Sequence, residues 1–185
     1  MKVKGTALAV VPGFIKERFG PEGLEKWLAA LEPQAAQAYR EGIQINHWYS
    51  LGEFYLEPTK IMCQMFFGGD PGSAREIGRY SAEFALKGVY KAFVKLTSVN
   101  FFIKRASLLM TTYYQPSKME LAALDNNRAV LHMTEFPEPH PLLEARIAGW
   151  IERALEIHGC REVRVEIPRS LAAGAPLTEM VLTWK

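Results

Sequence analysis

Apolar residues recur at helical spacing through the first part of the chain and at alternate positions near its end. Phe14, Ile15 and Phe19 precede Gly20-Pro21, and Leu24, Trp27, Leu28 and Leu31 then follow at three- and four-residue intervals. That is the period of a helix with one buried stripe, and Pro21 suits its first turn. Pro33 opens a second short helix through Tyr39, with Gly42 suited to its end. Ile43 to Tyr49 shows no clear period and reads as a loop. Gly52 to Phe67 is apolar and helical in character, with Pro58 as a breaker or a first-turn residue. Gly68-Gly69-Asp70-Pro71-Gly72 is turn chemistry. A helix restarts at Ser73 with Ile77, Tyr80 and Phe84, is interrupted at Gly88, and resumes over Val89 to Leu96. Val99 to Tyr114 predicts a further helix.

From Pro116 the period becomes two. Met119, Leu121 and Ala123 alternate on a first strand, and Asp125-Asn126-Asn127 turns the chain into a return strand over Arg128 to Thr134. His140-Pro141 opens a long amphipathic helix with Leu143, Ile147, Trp150, Ile151, Ala154 and His158 on one face and Gly159 as its cap. Val163, Val165 and Ile167 define a third strand, and Met180, Leu182 and Trp184 a fourth. The expected class is α+β in one domain over residues 1–185. A mainly helical half (1–115) packs on an antiparallel sheet half (116–185) of β-β-α-β-β order.

Composition sharpens this picture by exclusion. Hydrophobic residues make up 49% and charged residues 23% of 185, ordinary for a globular domain that buries its own core. A net charge of +2 is no nucleic-acid signature. Cys63 and Cys160 form no CxxC and no disulfide framework, which points to a reducing, cytoplasmic setting. No apolar run reaches the roughly 18 residues of a membrane span.

Catalytic chemistry is thin. No GxSxG occurs, and Cys63 lies between Met62 and Met65 where a thiol serves as a small hydrophobe. His132, Glu135 and His140 lie close in sequence but at the spacing of no known ligand set. Strand, turn and helix cap account for them, so no catalytic and no metal residues are assigned. Two other features stand out. Fourteen of the 21 aromatics fall between Trp48 and Tyr114. Trp48, Tyr49, Phe54, Phe66, Phe67, Phe84, Tyr90, Phe93, Phe101 and Phe102 are therefore the candidates for an apolar pocket, or simply for a filled core. No acid occurs between Phe84 and Met119, where Lys87, Lys91, Lys95, Lys104 and Arg105 stand. The first three are four apart on one helix face, suited to solvent or to an acidic partner or head group.

Three further motifs carry a resemblance. They are Ser98-Val99-Asn100-Phe101-Phe102-Ile103-Lys104-Arg105-Ala106, Phe136-Pro137-Glu138-Pro139-His140-Pro141 and Gly149-Trp150-Ile151, preceded by Lys4-Gly5-Thr6-Ala7 and Arg18-Phe19-Gly20. Together they resemble an uncharacterised bacterial paralogous family related to the 4-vinyl reductase-like and heme-nitric-oxide-binding domains. The resemblance implies a fold shared with nitric-oxide sensors and Golgi transport subunits, and ligand sensing or acyl-chain binding in an apolar cavity, often in a dimer. Two departures are visible. Haem-binding relatives carry a proximal histidine on a helix before the sheet, whereas no histidine lies between His47 and His132 here. The terminal cysteines of the reductase-like relatives are also missing. The expectation is a non-enzymatic ligand-binding or sensory domain without cofactor, haem included, for a small hydrophobic or lipid-like molecule. The alternatives are an assembly subunit without ligand, and an accessory protein or enzyme acting on a tetrapyrrole. A homodimer is expected, with no nucleic-acid partner and no membrane span.

Overall fold

A computed structural model describes residues 1–86, 97–106 and 110–185. The predicted helix over Val89 to Leu96 lies outside them, as do Lys87, Lys91, Lys95, Tyr90 and Phe93. Strand β1 (Lys2–Lys4) leads into a one-turn helix, α1 (Gly5–Leu8). Helix α2 (Val11–Ala30) bends at Gly20, where φ is +74°. A side chain there would be strained, and Pro21 follows without an N–H to donate, so the helix breaks and restarts. Trp27, on the restarted part, is fully buried and donates its indole N–H to the Pro58 carbonyl at 3.0 Å. Helix α3 (Pro33–Glu41) ends at Gly42, and a wide π-type turn (Gly52–Leu56) runs into α4 (Glu57–Phe66).

Part of the expected loop over Ile43 to Tyr49 is instead the start of a strand. β2 (Trp48–Ser50) pairs antiparallel with β1, and β3 (Tyr114–Gln115) pairs with the other edge of β1. Elements of two and three residues are too short to display alternation, so their strand character comes from pairing. Nor is Val99 to Tyr114 one helix: α6 (Val99–Ala106) and α7 (Met110–Tyr113) are separate, and Tyr114 already belongs to β3.

A turn closed by Asp70, whose carboxylate accepts the Gly72 N–H at 2.9 Å, leads into α5 (Ala74–Ala85). The predicted sheet half is present as β4 (Lys118–Leu124), β5 (Arg128–Glu135), α8 (Pro141–His158), β6 (Arg164–Arg169) and β7 (Thr178–Thr183). The spatial order is β4-β5-β7-β6, antiparallel throughout. His132 stands opposite Glu179 in this register and meets it at 2.8 Å, whereas His140 caps α8 by accepting the Leu142 N–H. The helical half and the antiparallel sheet thus form the α+β arrangement expected from the pattern.

Helices α5 and α8 cross at very short range. A Cβ on Gly78 would overlap the Arg146 carbonyl oxygen and lie 2.9 Å from its carbon. A Cβ on Gly149 would overlap the Arg75 carbonyl oxygen in the same way. Beside this crossing, Arg75 pairs with Glu152, Arg79 with Glu156 at 2.8 Å, and Arg153 with Glu83 at 2.8 Å. These pairs are partly solvated, so they fix the register of the two helices more than they stabilise it. One connected core runs from Val3 and Phe14 through Met62 and Ile77 to Leu143, Met180 and Leu182. Among the described residues, no helix is long and apolar enough to cross a membrane.

Candidate functional site

The α5–α8 crossing leaves a cleft between the helices and the start of the sheet, with a volume of about 520 Å³. Gly78, Ser81, Phe84 and Ala85 on α5 form one wall, and Arg146, Ile147, Trp150 and Ile151 on α8 form another. Thr6, Ala7 and Val10 approach from the N-terminal segment, Phe102 from α6, and Met110 and Tyr113 from α7. Tyr55, Tyr114, Met119 and Leu131 complete the lining. Helix α8 is buried on every side from Leu142 to Gly149, so its apolar stripe serves both the core and the cleft, where Trp150 is left half-buried.

The polar groups of the lining are concentrated at one end. Arg146 is 4% exposed, its guanidinium lies 4.0 Å from the Tyr55 ring centroid, and it donates to Thr59 Oγ1 and to the Ala7 carbonyl, both at 3.0 Å. The hydroxyls of Tyr55 and Tyr114 hydrogen-bond each other at 3.0 Å. Burial pushes both phenols up, more than the neighbouring Arg146 charge holds them down, and burial does the same to Tyr39 behind them. They are therefore neutral donors at physiological pH. At the opposite, C-terminal end of α8, the His158 ring lies 5.6 Å from Phe102, and its buried Nε2 has no hydrogen-bond partner among the described residues.

These phenols give a pH prediction. In the unfolded chain they ionise near pH 10, and in the folded chain only above that. The folded state thus keeps protons that the unfolded state releases, so stability is intact below pH 10 and falls as pH rises beyond it. A folded sample near pH 11 should show tyrosinate absorbance for fewer than the seven tyrosines of the chain. Full ionisation before unfolding would contradict the burial of this group.

Of the ten aromatics singled out in sequence, Phe84 and Phe102 stand on the wall of the cleft. Trp48 lies under the Lys4 ammonium, 4.8 Å from its ring, and Tyr49 packs on Phe54 at 5.1 Å. Phe66 stacks on Phe19 at 4.1 Å and Phe67 meets the same ring edge-on at 5.5 Å, so both seal α4 against α2. Phe101 is 46% exposed, with the Arg105 guanidinium 5.9 Å from its ring, and Lys104 and Arg105 lie on the outer surface of α6. Sequence density thus located a stretch rich in core, and the wall is completed by Met119, which the strand period did mark, and by residues that neither density nor periodicity assigned to a pocket: Tyr55, Tyr113, Tyr114, Met110 and Arg146. Arg146 did carry a signal, because it lies three residues after Leu143 and four before Trp150, within the apolar stripe of α8.

No family model matches the chain, and no curated protein matches it. Solved structures do. An Fe(II) unliganded H-NOX protein from K. algicida is similar over 98% of this chain and 96% of its own, with a TM-score of 0.72 at 9% identity. An H-NOX protein from S. oneidensis in the Fe(II)NO ligation state is similar over 98% and 99%, with a TM-score of 0.74 at 11% identity. The chain has the fold of an H-NOX domain. A third structure, a single-substitution variant of Tt H-NOX, covers 98% and 95% with a TM-score of 0.67 at 15% identity. Of the two relationships implied by the sequence motifs, it is the one to the haem–nitric-oxide-binding domains that the solved structures support, at the level of fold.

This corrects the expectation of no cofactor. The missing histidine excluded haem only if histidine were the sole axial ligand, whereas the structures sharing the H-NOX fold over nearly the whole chain hold Fe(II), unliganded in one and carrying NO in the other. Proteins also hold haem iron through tyrosine, methionine or cysteine. The cleft offers the thioethers Met110 and Met119, the phenol of Tyr113, and in Arg146 a cation suited to a propionate, whereas Tyr114 is kept protonated by burial and bonded to Tyr55. Its donor chemistry fits a haem without a histidine on the wall.

Proposed function

We propose that the chain is a ligand-binding sensory domain rather than an enzyme, and that it takes a hydrophobic molecule, a tetrapyrrole or a lipid-like chain, into the cleft between α5 and α8. The observation that carries this reading is the cleft itself: about 520 Å³, lined by aliphatic and aromatic side chains with a few convergent polar groups at one end. Small-molecule sites fall between roughly 300 and 1,000 Å³ and have this wall chemistry. A close-packed core holds few voids larger than a water molecule, so the space calls for an occupant. A haem, when bound, supplies iron whose open position takes a diatomic gas such as the NO of the S. oneidensis structure. Here Met110, Met119 and Tyr113 are the donors that would hold such an iron, while Tyr114, kept protonated by burial and bonded to Tyr55, would serve as a hydrogen-bonding wall group, and the rings of Phe102 and Trp150 flank the space.

The test is native mass spectrometry of protein purified from its host and of protein mixed with hemin or with hexadecanoate. One retained ligand per chain is expected, and the same spectrum shows whether a twofold species accompanies it. Ala85 lines the cleft at the end of α5. Ala85→Phe should therefore fold with a loss of less than about 1 kcal/mol, since the ring enters empty space rather than packed atoms, and should abolish retention. If no ligand is retained from any source, the assembly-subunit reading becomes the better one.

A further inference from the structure

Among the described residues, Arg146 is a buried cation without a counter-charge. It is only 4% exposed, and its two hydrogen bonds go to a neutral hydroxyl and a neutral carbonyl. No carboxylate of the described residues lies within ion-pair distance of it. The phenols around it are held protonated by burial, so none supplies a phenolate. A guanidinium has five N–H donors in a planar fork, so further acceptors can still be placed. Buried charges are ordinarily paired, because removing them from water is expensive. The buried carboxylate nearest in sequence, Glu144, is on another side of α8, taken by the Ser170 and Thr178 hydroxyls. Arg146 therefore stands at the cleft with its compensating anion still to come.

We propose that Arg146 is the receptor for an acidic group on the ligand, so that the cleft selects amphiphiles: a hydrophobic body against Ile147, Trp150, Met110 and Phe102, with a carboxylate on the guanidinium. This rests on the cleft being a ligand site. The Tyr55 ring beneath the guanidinium and the Thr59 and Ala7 bonds hold the fork in place before any ligand arrives, which is the preorganisation a carboxylate site needs. Two sources of this chemistry fit, a propionate-bearing tetrapyrrole and a fatty-acid-like chain.

The experiment is calorimetric titration of the whole chain with four probes: dodecanoate, dodecan-1-ol, hemin and hemin dimethyl ester. The acid of at least one pair should bind about tenfold or more tightly than its neutral counterpart, the range expected for a charge-assisted hydrogen bond. Preference within the dodecanoate pair alone identifies the lipid-like source, and preference within the hemin pair alone the tetrapyrrole. Arg146→Met removes the charge at similar length, and Arg146→Lys keeps the charge without the fork. The preference should vanish in the first and persist, reduced, in the second. The ratios in the unaltered protein carry the test even if Arg146→Met fails to fold. Acid and neutral probes binding equally, or an undiminished preference in folded Arg146→Met, would overturn the role of Arg146 and leave the cleft as a site. Failure of all four probes to bind would overturn both.

Discussion

Gly149→Ala should destabilise the protein by about 3 kcal/mol or more, at the upper end of what overpacking does. The new methyl would overlap the Arg75 carbonyl oxygen and lie 2.8 Å from its Cα. These are backbone atoms, which no rotamer change can move aside. The only relief is to separate α5 from α8, and that separation would break the Arg75–Glu152 and Arg79–Glu156 pairs and distort the cleft lined by both helices. Gly78→Ala meets the Arg146 carbonyl in the same way and should behave alike. Gly52→Ala is the control: nothing lies within 4 Å of its Cβ and its φ is not in the left-handed range. That change should be neutral or stabilising by about 0.5 kcal/mol. Urea denaturation of the three variants checks this, and equal midpoints for Gly149→Ala and Gly52→Ala would contradict the close crossing.

Glu144→Ala should be comparably severe, at about 3 kcal/mol. Its carboxylate is 3% exposed and accepts from the Ser170 hydroxyl at 2.6 Å and from the Thr178 hydroxyl, with the Ala172 N–H at 3.4 Å. It thereby ties α8 to the connection between β6 and β7. Bonds to a charged group are worth about 1.5–3 kcal/mol, and truncation also leaves buried donors without a partner. Thr178 is fully buried and accepts the Leu171 N–H at 3.0 Å, so its hydroxyl has nowhere else to turn. Glu144→Gln keeps the shape and some acceptors and should lose less than half as much. Thermal unfolding measures both, and an unchanged melting temperature for Glu144→Ala would contradict the anchor.

The sheet half was legible because β4, β5, β6 and β7 are long enough, at six to eight residues, to show a period of two. Helix α8 was legible for the same reason at 18 residues. The small sheet was not, because β1, β2 and β3 owe their strand character to partners far away in sequence: Val3 sits between Tyr49 and Tyr114. The glycine crossing left no periodic trace either, since Gly78 and Gly149 matter only where two helices meet. Aromatic density overstated the site: Phe66 and Phe67 are used against Phe19, and Tyr49 against Phe54. The better signal was a contradiction in pattern. Arg146 interrupts an apolar stripe, and a charge kept inside a buried face marks either a partner or a ligand.

The most direct measurement of ligand binding in the cleft is NMR of methionine methyl groups during titration with hexadecanoate. Met110 and Met119 line the cleft, whereas Met62, Met133 and Met180 are buried in the core outside its lining. Saturable shifts of the Met110 and Met119 methyls, with the other three unmoved, are expected and should be abolished by Ala85→Phe. Shifts confined to Met62, Met133 and Met180, or none at any methionine with hexadecanoate or hemin, would contradict a ligand site between α5 and α8.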